Sequence, residues 1–527
     1  MVLNLILKMD NSYLKVGHAS DLKNPKERAL FRFFEMFPGL LSWGTLILAV
    51  LFSWWKPFWA ATFIITFDIY WFFRTIYFSF HLRACYKRMR EVEKINWLTK
   101  LKESKETKNR WEEIYHLILL PMYKEPLEVV RESFRALIKT DYPKEKMIVV
   151  LSVEERGGEE ARRTAQEIKK EFGEKFFRFL ITFHPANLPG EIAGHGSNDA
   201  WAAKMAKEKI IDPLKIPYQN IIVSCFDIDT CVFPQYFSRL TYCYLTSENP
   251  TRTSFQPIPL YLNNIWQAPF ISRLFAFSAT FWQMMCQERP EKMLTFSSHS
   301  MSFQAMVDVG FKQTNVISDD SRIFWQCFLK YNGDYRVSPL FYPVSMDANV
   351  AKSFWKTVIN IYKQQLRWAY GVGDIAFFLF GFLKNKKIPF SKKFSLGFAL
   401  IEGHWSWATA SILIFFLGWL PLILGSGEFP HTLLSYNLPR FVSRILTITM
   451  LGLIASAYFS LLLLPPKPPQ YGRFKYLALV LEWFLLPVIM IFFTSLPALE
   501  AQTRWMIGKY LGFWCTPKTR EFALYSK

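Results

Sequence analysis

Several features that define familiar protein classes are missing from this sequence of 527 residues. It has seven cysteines, none of them in the C-x-x-C spacing of a zinc site. No disulfide framework is visible, which favours a reducing compartment. Internal repeats and low-complexity segments are also missing. We expect no cleavable signal peptide, because Asp10, Asp21 and Glu27 interrupt the N-terminal segment early.

Hydrophobic and aromatic residues, by contrast, are unusually frequent. They make up 51% and 18% of the chain, which is typical of a membrane protein. The net charge is +20, a value that suits either nucleic acid or the cytoplasmic face of a membrane. The long apolar runs favour a lipid bilayer as the partner and argue against nucleic acid.

The apolar runs divide the chain into membrane and soluble parts. Residues 1–37 predict a basic cytosolic N-terminus, and residues 38–80 predict a transmembrane helical hairpin. Both flanks of the hairpin are basic, so we expect both in the cytoplasm. Residues 350–404 predict interfacial amphipathic helices, and residues 405–498 predict two to three further spans. The tail, 499–527, is expected at the cytosolic face, although three spans would put it outside.

Residues 81–345 predict a soluble α/β domain. Apolar strands are expected at 115–120, 146–153, 177–183 and 221–226, with helices at 127–139, 159–172 and 199–207. This alternation is typical of right-handed βαβ units with a nucleotide-binding sheet. Ligands bind such sheets at the C-terminal ends of the strands.

Two carboxylates, Asp227 and Asp229, follow the fourth predicted strand. In extended chain they point to the same side and can hold a hard divalent cation against a diphosphate. The alternative is a pair of solvated loop carboxylates, because D-x-D occurs often by chance.

Asp319 and Asp320 form a second acidic pair. Adjacent carboxylates disfavour joint ionisation, so the pKa of one is expected to rise toward that of a general base. Alternatively, Ser318 or Asp319 caps the following helix, and the two roles can coexist. Upstream, the Gly-rich segment 189–198 can bring backbone N–H groups to a phosphate. We expect His195, within it, to be an ordinary loop histidine.

The segment 361–371 predicts a helix on which Gln364, Arg367 and Trp368 share one face. That face offers an amide, a guanidinium suited to a diphosphate and a ring on which a sugar can stack. The alternative is an amphipathic helix on a membrane, with Arg and Trp as interface anchors.

Taken in order, these motifs resemble those of the inverting family 2 glycosyltransferases, above all the cellulose, chitin and hyaluronan synthases. The ordered set is P-x-Y-K-E at 121–125, Glu154, the Gly-rich segment, D-x-D, the acidic pair and Q-x-x-R-W. The segment 513–518, FWCTPK, is similar to the family's F-x-V-T-x-K gating loop. The resemblance spans about residues 117–518. It departs from the family in three places, where Glu154-Glu155 replaces Asp-Asp, Ile192 and His195 replace Lys and Asn, and Ser318-Asp319 replaces Thr-Glu.

The resemblance implies a Rossmann-like α/β GT-A catalytic domain in the cytosol, embedded between transmembrane helices of the plasma (inner) membrane. Asp320 would be the catalytic base, and Asp227 and Asp229 would bind Mg²⁺ or Mn²⁺. The donor-binding residues would be Tyr123, Glu125, Glu154, Asp227, Gln364 and Arg367, the acceptor-binding residues Asp319 and Trp368, and the gating-loop residues Phe513, Thr516 and Lys518.

The function implied is transfer of a sugar from a nucleotide sugar to a growing glycan, processively and with export of the product. A UDP-sugar is favoured over a GDP-sugar as donor. The alternative is transfer of one sugar to a membrane lipid, such as a polyprenyl phosphate or diacylglycerol. A third reading, from a different class, is a transporter or scaffold with a degenerate catalytic domain. The intact Asp227, Asp229, Asp320 and Arg367 argue against it.

Overall fold

The computed structural model describes residues 11–517 and residue 520. Its first two long helices are α1 (Pro25–Trp55) and α2 (Pro57–Glu93), separated by Lys56 and packed against each other. Asn24 caps α1 by accepting the N–H of Lys26 at 3.0 Å, and Pro25 takes the first helical position. The helical hairpin expected at 38–80 thus lies within two helices that extend beyond it on both sides.

In the described part of the chain, eight strands form one mixed sheet. The strands are β1 (Tyr115–Met122), β2 (Met147–Glu154), β3 (Arg178–His184), β4 (Ile221–Cys225), β5 (Cys231–Val232), β6 (Thr253–Leu260), β7 (Ser300–Ser302) and β8 (Arg336–Ser345). Their spatial order is β3-β2-β1-β4-β7-β6-β8-β5. The predicted strands are β1 to β4, and these four pair in parallel as expected. The other half of the sheet, in which β7 runs antiparallel to β4 and β6, was not predicted.

The helices around this sheet are α3 (Trp97–Glu103), α4 (Leu127–Ile138), α5 (Gly158–Phe172), α6 (His195–Ala206), α7 (Tyr236–Thr246), α8 (Phe270–Gln287), α9 (Phe303–Asp308) and α10 (Asp319–Lys330). The helices predicted at 127–139, 159–172 and 199–207 are α4, α5 and α6, and their existence is confirmed. α6 begins four residues earlier than predicted, at His195.

Strand β1 is buried along nearly its whole length, because it lies between β2 and β4 and its side chains enter the core. Its apolar sequence follows from this position, since a central parallel strand meets no solvent on either face. The polar exception, His116, is fully buried, and its Nε2 lies 2.8 Å from Thr241 Oγ1. Parallel strands end at one edge of a sheet, so Glu154, which ends β2, lies at the same edge as Tyr123 and Asp227, which follow the ends of β1 and β4.

The remaining helices follow the sheet. They are α11 (Phe354–Ala369), α12 (Asp374–Lys384), α13 (Phe390–Phe415), α14 (Leu420–Leu424), α15 (Leu433–Thr449), α16 (Leu451–Leu463), α17 (Phe474–Glu482), α18 (Leu486–Met490) and α19 (Leu496–Ile507). The run from 474 to 507 is interrupted by a 3-10 turn, Pro487 and a π-helical turn.

Among the described residues, four helical stretches are long and apolar enough to cross a membrane: Pro25–Trp55, Phe354–Lys384, Leu433–Leu463 and Phe474–Ile507. The pair α13 and α14, bent by 49°, is a fifth candidate if counted as one span. These stretches indicate association with a membrane. The stretch 354–384, expected at the interface, is 72% buried within the protein over its most apolar window, so much of its apolar surface faces the protein itself.

Two ion pairs join the long helices that follow or precede the sheet to other parts of the protein. Glu482 of α17 pairs with Arg273 of α8, with 2.9 Å between Oε2 and Nε. Arg74 of α2 pairs with Glu402 of α13, which also accepts hydrogen bonds from Tyr70 and Ser406. An uncompensated charge in a bilayer is costly, so these pairs tie the apolar helices to one another and to the soluble domain.

Candidate active site

The two aspartates after β4 have different surroundings. The side chain of Asp227 is 32% exposed, and its Oδ2 accepts a hydrogen bond from Ser297 Oγ at 2.5 Å. Asp229 is buried, and its Oδ2 accepts the backbone N–H of Asp347 at 2.9 Å. Asp227 is therefore partly open to solvent, whereas Asp229 is bound to the segment that follows β8.

The acidic pair Asp319 and Asp320 forms the first turn of α10. Ser318 occupies the N-cap position, as the capping interpretation expects, but its side chain makes no cap hydrogen bond. Its hydroxyl donates instead to Asp374 Oδ1 at 3.2 Å. Asp374 also pairs with Arg322, with 2.7 Å between Oδ1 and Nε, and both side chains are buried. This ion pair fixes α10 against α12, which follows the Q-x-x-R-W helix.

A buried lysine, Lys312, lies between three carboxylates. Its Nζ is 2.9 Å from Asp199 Oδ2, 2.8 Å from Asp319 Oδ2 and 2.8 Å from Asp320 Oδ1. The lysine comes from the loop between α9 and α10, and Asp199 comes from α6. The Lys312 side chain is completely buried, so its positive charge acts on these three groups with little screening by water.

His195, the first residue of α6, links the two acidic pairs. Its Nδ1 is 3.3 Å from Asp319 Oδ2 and its Nε2 is 3.4 Å from Asp227 Oδ1. Burial lowers the pKa of His195, but the carboxylates of Asp199 and Asp319 outweigh burial and raise the pKa to about 10. The imidazole is therefore a cation near neutral pH. The expectation of an ordinary loop histidine is wrong.

Asp319 and Asp320 differ in exposure and in charge. Burial raises the pKa of Asp319, but Lys312 and His195 outweigh burial and hold that pKa well below its usual range. The expected rise of a pKa within the pair is thus wrong for Asp319, because two cations touch its carboxylate. The Asp320 side chain is 26% exposed, against 6% for Asp319. Of the two, Asp320 is the carboxylate that a substrate can reach.

Two glycines let the Gly-rich segment approach the site closely. A Cβ on Gly196 would lie 2.4 Å from the Cβ of Asp319. A Cβ on Gly194 would lie 2.6 Å from Cγ of Phe513 in the tail. Real Cβ atoms do not approach other heavy atoms so closely, and neither neighbour is the free end of a flexible chain. The glycines here serve packing against Asp319 and Phe513, and their contact with a phosphate remains a prediction.

The helix predicted at 361–371 is confirmed as the second half of α11, which ends at Ala369 before a 3-10 turn. Gln364 Oε1 accepts a hydrogen bond from Asn349 Nδ2 at 3.3 Å. Asn349 stands two residues after Asp347, whose backbone N–H is bound by Asp229. Gln364 and Trp368 line one cavity with Asp347. The guanidinium of Arg367 lies 5.1 Å from the ring centre of Phe513, and among the described residues its buried Nε has no hydrogen-bond partner.

The corner after β1 and β2 holds the remaining predicted donor residues. Arg156 lies over the ring of Tyr123 at 5.3 Å and pairs with the largely buried Glu154. Glu125 Oε2 accepts the backbone N–H of Tyr123 at 2.7 Å. The corner therefore presents a flat ring and two carboxylates, one of them already neutralised by an arginine.

The C-terminal tail crosses this cleft. Phe513 lies against Gly194 and Arg367, and Cys515 Sγ is 3.8 Å from Glu125 Oε1. Thr516 is buried. Farther along, Arg520 pairs with Asp347, with 2.8 Å between Nε and Oδ1. Lys518, the last residue of the predicted gating loop, lies outside the described residues.

The residues present fit a divalent cation in a limited way. Mg²⁺ is commonly held by one or two carboxylates, with substrate phosphates and water completing its shell, and Asp227 and Asp229 can supply two. Among the described residues, a further group of ligand atoms lies within 4.8 Å: those of His195, Asp319 and Asp320. The ammonium of Lys312 contacts both carboxylates of that group.

Comparison with known proteins gives structural likenesses only. No protein-family model matches the chain, and no curated protein matches it. Solved structures similar to it include a mannosyltransferase, PcManGT from Pyrobaculum calidifontis, in complex with GDP-Man and Mn²⁺ (14% identity, TM-score 0.39, covering 76% of this chain and 99% of that one). Another is a fragment of S. aureus TarS with UDP (11% identity, TM-score 0.33, covering 75% and 93%). The structural neighbours are thus glycosyltransferases, but TM-scores this low carry no argument about this chain.

Sequence reasoning missed the residues that surround the predicted ones. Lys312 stands seven positions before Asp319 in a loop, where no periodicity points to the site. Asp347 and Arg520 are equally without a motif. One signal was present: His195 stands four residues before Asp199, the first residue of a predicted helix, so the two share a face once the helix extends back to His195.

Proposed function

We propose that the protein is a membrane-embedded inverting glycosyltransferase of family 2, with a cytoplasmic GT-A catalytic domain and a nucleotide-sugar donor. We propose further that it extends a glycan processively and exports it. One observation carries the proposal: the D-x-D loop, the acidic pair, the Q-x-x-R-W helix and the tail are far apart in sequence yet are linked by contacts near the carboxyl edge of β1, β2 and β4. His195 contacts Asp227 and Asp319, and Phe513 contacts Gly194 and Arg367.

The difference in exposure within the acidic pair supports Asp320 as the general base. A base must be reached by the acceptor hydroxyl and must be ionised. Asp320 is partly exposed, and the Lys312 ammonium lies 2.8 Å from its Oδ1. Asp319 is enclosed by Lys312 and His195 and is better suited to position its neighbour and the acceptor.

The position of Arg367 supports a role for its guanidinium in binding the diphosphate. A planar guanidinium grips phosphate oxygens in pairs. In this structure Arg367 lies over the ring of Phe513, so a ligand can engage its N–H groups. Gln364 and Trp368 line the neighbouring cavity, where we place the acceptor sugar. Asp227 and Asp229 would hold Mg²⁺ or Mn²⁺, which supplies charge neutralisation for the leaving group.

In the proposed reaction, the acceptor hydroxyl gives its proton to the Asp320 carboxylate while its oxygen bonds to the anomeric carbon of the donor. The bond from that carbon to the diphosphate oxygen breaks on the opposite face, so the configuration inverts. The nucleoside diphosphate leaves with both electrons of the broken bond, and Arg367 neutralises part of its developing charge. We take a UDP-sugar as the first donor to test and a GDP-sugar as the second.

The second candidate is transfer of one sugar to a membrane lipid, such as a polyprenyl phosphate or diacylglycerol. The nearness of α11 and α12 to the apolar helices favours it, because a lipid acceptor would enter from the bilayer. A transporter or scaffold with an inactive domain is disfavoured, since Asp320 remains accessible and Arg367 remains available at the cleft.

Release of UDP or GDP from a panel of nucleotide sugars, measured with the purified protein in detergent, tests the enzyme. No release with any donor would favour the scaffold. Sizing of the product then distinguishes the two enzymatic candidates, because a ladder or long polymer requires repeated transfer, whereas a single added sugar indicates the lipid acceptor.

The proposed placement in the inner membrane has its own test. The segment from Arg83 to Arg110 and the catalytic domain should face the cytoplasm, since basic flanks stay inside. A cysteine introduced at Lys105 should react with a membrane-impermeant thiol reagent only after the cells are opened. Labelling of intact cells from outside would overturn this orientation.

A further inference from the structure

Lys312 contacts the group of potential metal ligands that the described residues form beside the acidic pair. The ligand atoms of His195, Asp319 and Asp320 lie within 4.8 Å of one another. Ligands on opposite sides of an octahedral Mg²⁺ are about 4.2 Å apart, so this group has nearly the right size for a divalent cation. The Lys312 ammonium lies 2.8 Å from an oxygen of each aspartate.

The carboxyl groups around Lys312 outnumber the lysine. Its Nζ lies within 2.9 Å of an oxygen of each of three of them, Asp199, Asp319 and Asp320. Asp199 is completely buried, and among the described residues its Oδ1 has no hydrogen-bond partner. A buried carboxylate with a vacant oxygen is costly unless a cation compensates it. Removal of the lysine would leave a strongly negative, buried group of ligands.

The approach of α6 makes this group rigid. Gly196 allows the start of the helix to contact Asp319, because any larger residue would collide with its side chain. Asp199 and His195 are therefore held against the acidic pair from one side, and the Arg322–Asp374 ion pair holds α10 from the other. A group held in this way cannot spread apart to relieve its repulsion.

We propose that Lys312 is a built-in cation that excludes divalent metal from the acidic pair and so confines the metal to the D-x-D loop. In this role Lys312 is a positioning residue, and it keeps Asp320 available as a base that no metal ion ligates. The assignment of metal to Asp227 and Asp229 rests on the proposed function. The exclusion of metal by Lys312 rests on the contacts given above.

The test is the number of Mn²⁺ ions bound per chain by the purified full-length protein, measured without donor from the electron paramagnetic resonance signal of free Mn²⁺. We expect Lys312→Met to bind one Mn²⁺ more than the wild type. The added site should vanish in the double variant Lys312→Met with Asp199→Asn. Lys312→Arg, which restores the positive charge, should bind as the wild type does. Lys209→Met, at an exposed lysine just after α6, is the matched control and should also match the wild type.

Equal Mn²⁺ binding by Lys312→Met and the wild type would overturn the proposal. Should the variant fold poorly in metal-free buffer, its melting temperature is followed as Mn²⁺ is added, because a ligand of the folded state stabilises it. A rise that the wild type and Lys209→Met do not show supports the proposal. No rise, or failure to fold even with Mn²⁺, counts against it. Since no donor is present, the added site can be found in a protein that transfers no sugar, which separates this inference from the proposed function.

Discussion

The two acidic pairs of the site differ in how their charge is compensated. Asp319 and Asp320 are met by Lys312 at 2.8 Å, and Asp319 also by His195. Around the D-x-D loop, Asp227 has a hydroxyl from Ser297 and the edge of His195 at 3.4 Å, while Asp229 holds a backbone N–H. The acidic pair is thus contacted by a lysine ammonium, whereas the D-x-D carboxylates contact a hydroxyl, an imidazole edge and a backbone N–H.

The difference teaches how neighbouring carboxylates can serve different chemistry. A carboxylate that is to hold a metal must remain available for it, whereas a general base must stay ionised without being ligated. An internal ammonium beside Asp319 and Asp320 supplies positive charge there, while the proposed metal site is at Asp227 and Asp229. The following predictions test this division, from the largest expected effect to the smallest.

Asp229→Ala should abolish turnover and remove the divalent-cation dependence of donor binding, because the diphosphate would lose its counter-ion. Donor binding measured with Mn²⁺ and with EDTA checks this. Glu174→Gln, at an exposed carboxylate before β3, is the control and should keep both activity and metal dependence. Full activity of Asp229→Ala, or of the wild type in EDTA, would remove the metal from this pair.

Asp320→Asn keeps size and hydrogen bonding but cannot accept a proton. The turnover number should fall by about 10²–10⁴-fold, as is typical for loss of a general base, with donor affinity nearly unchanged. Steady-state kinetics and equilibrium donor binding measure the two quantities. If Asp319→Asn lost transfer and Asp320→Asn kept it, the base would be Asp319. If neither mattered, the pair would not belong to a transferase site.

Asp319→Asn should differ from Asp320→Asn in stability. Breaking a buried charge network by removing one partner costs about 3–5 kcal/mol, and Asp319 is the more enclosed of the two. Because the pKa of Asp319 is held below its ordinary value, its contribution is present above about pH 4 and is lost as the pH falls further. The difference in free energy of unfolding between the wild type and Asp319→Asn, measured with denaturant, should therefore be smaller at pH 3 than at pH 7. An equal loss in both variants would contradict the comparison.

Arg367→Lys should weaken transfer about 10- to 100-fold although the charge is kept, because an ammonium cannot grip a diphosphate through a planar fork. The ratio of kcat/KM between wild type and variant measures this. Lys363→Arg, one turn earlier on α11 at an exposed position, is the control and should change little. An Arg367→Lys enzyme as active as the wild type would place the diphosphate elsewhere.

Trp368→Ala should have the smallest effect and the most selective one. Loss of a stacking surface should reduce use of the acceptor by several-fold, while hydrolysis of the donor by water changes less. Parallel assays of transfer and hydrolysis give the ratio. A proportional decrease in both would mean that Trp368 supports the fold of α11 and does not contact the acceptor.

Much of the soluble fold follows from sequence pattern, because strands buried on both faces are continuous apolar runs. That pattern identifies β1 to β4 and the helices between them. It fails for β7, which has only three residues, and for β8, whose prolines Pro339 and Pro343 argue against a strand. Both are held by tertiary pairing with β6 and are not evident from local preference.

The candidate site shows the same division. Aspartates after strand ends and an amphipathic helix can be identified from the sequence. Apolar runs mark where buried strands end, and the residues of one helical face recur with the helical repeat. The pKa of Asp319 could not be predicted, because its direction depends on Lys312 and His195, which reach it from a loop and from α6. Likewise, Phe513 is recognisable only as part of a motif, whereas its contact with Gly194 depends on how the tail crosses the cleft.

The Arg273–Glu482 ion pair constrains how the chain is assembled during synthesis. The partners are 209 residues apart, so at about 5–20 residues per second the guanidinium is made roughly 10–40 s before its carboxylate. Until then, helix α8 carries a charge that the finished protein buries. The soluble domain therefore cannot complete its packing before α17 arrives, and a chain that stops before residue 474 should be recovered mainly as aggregated or degraded material.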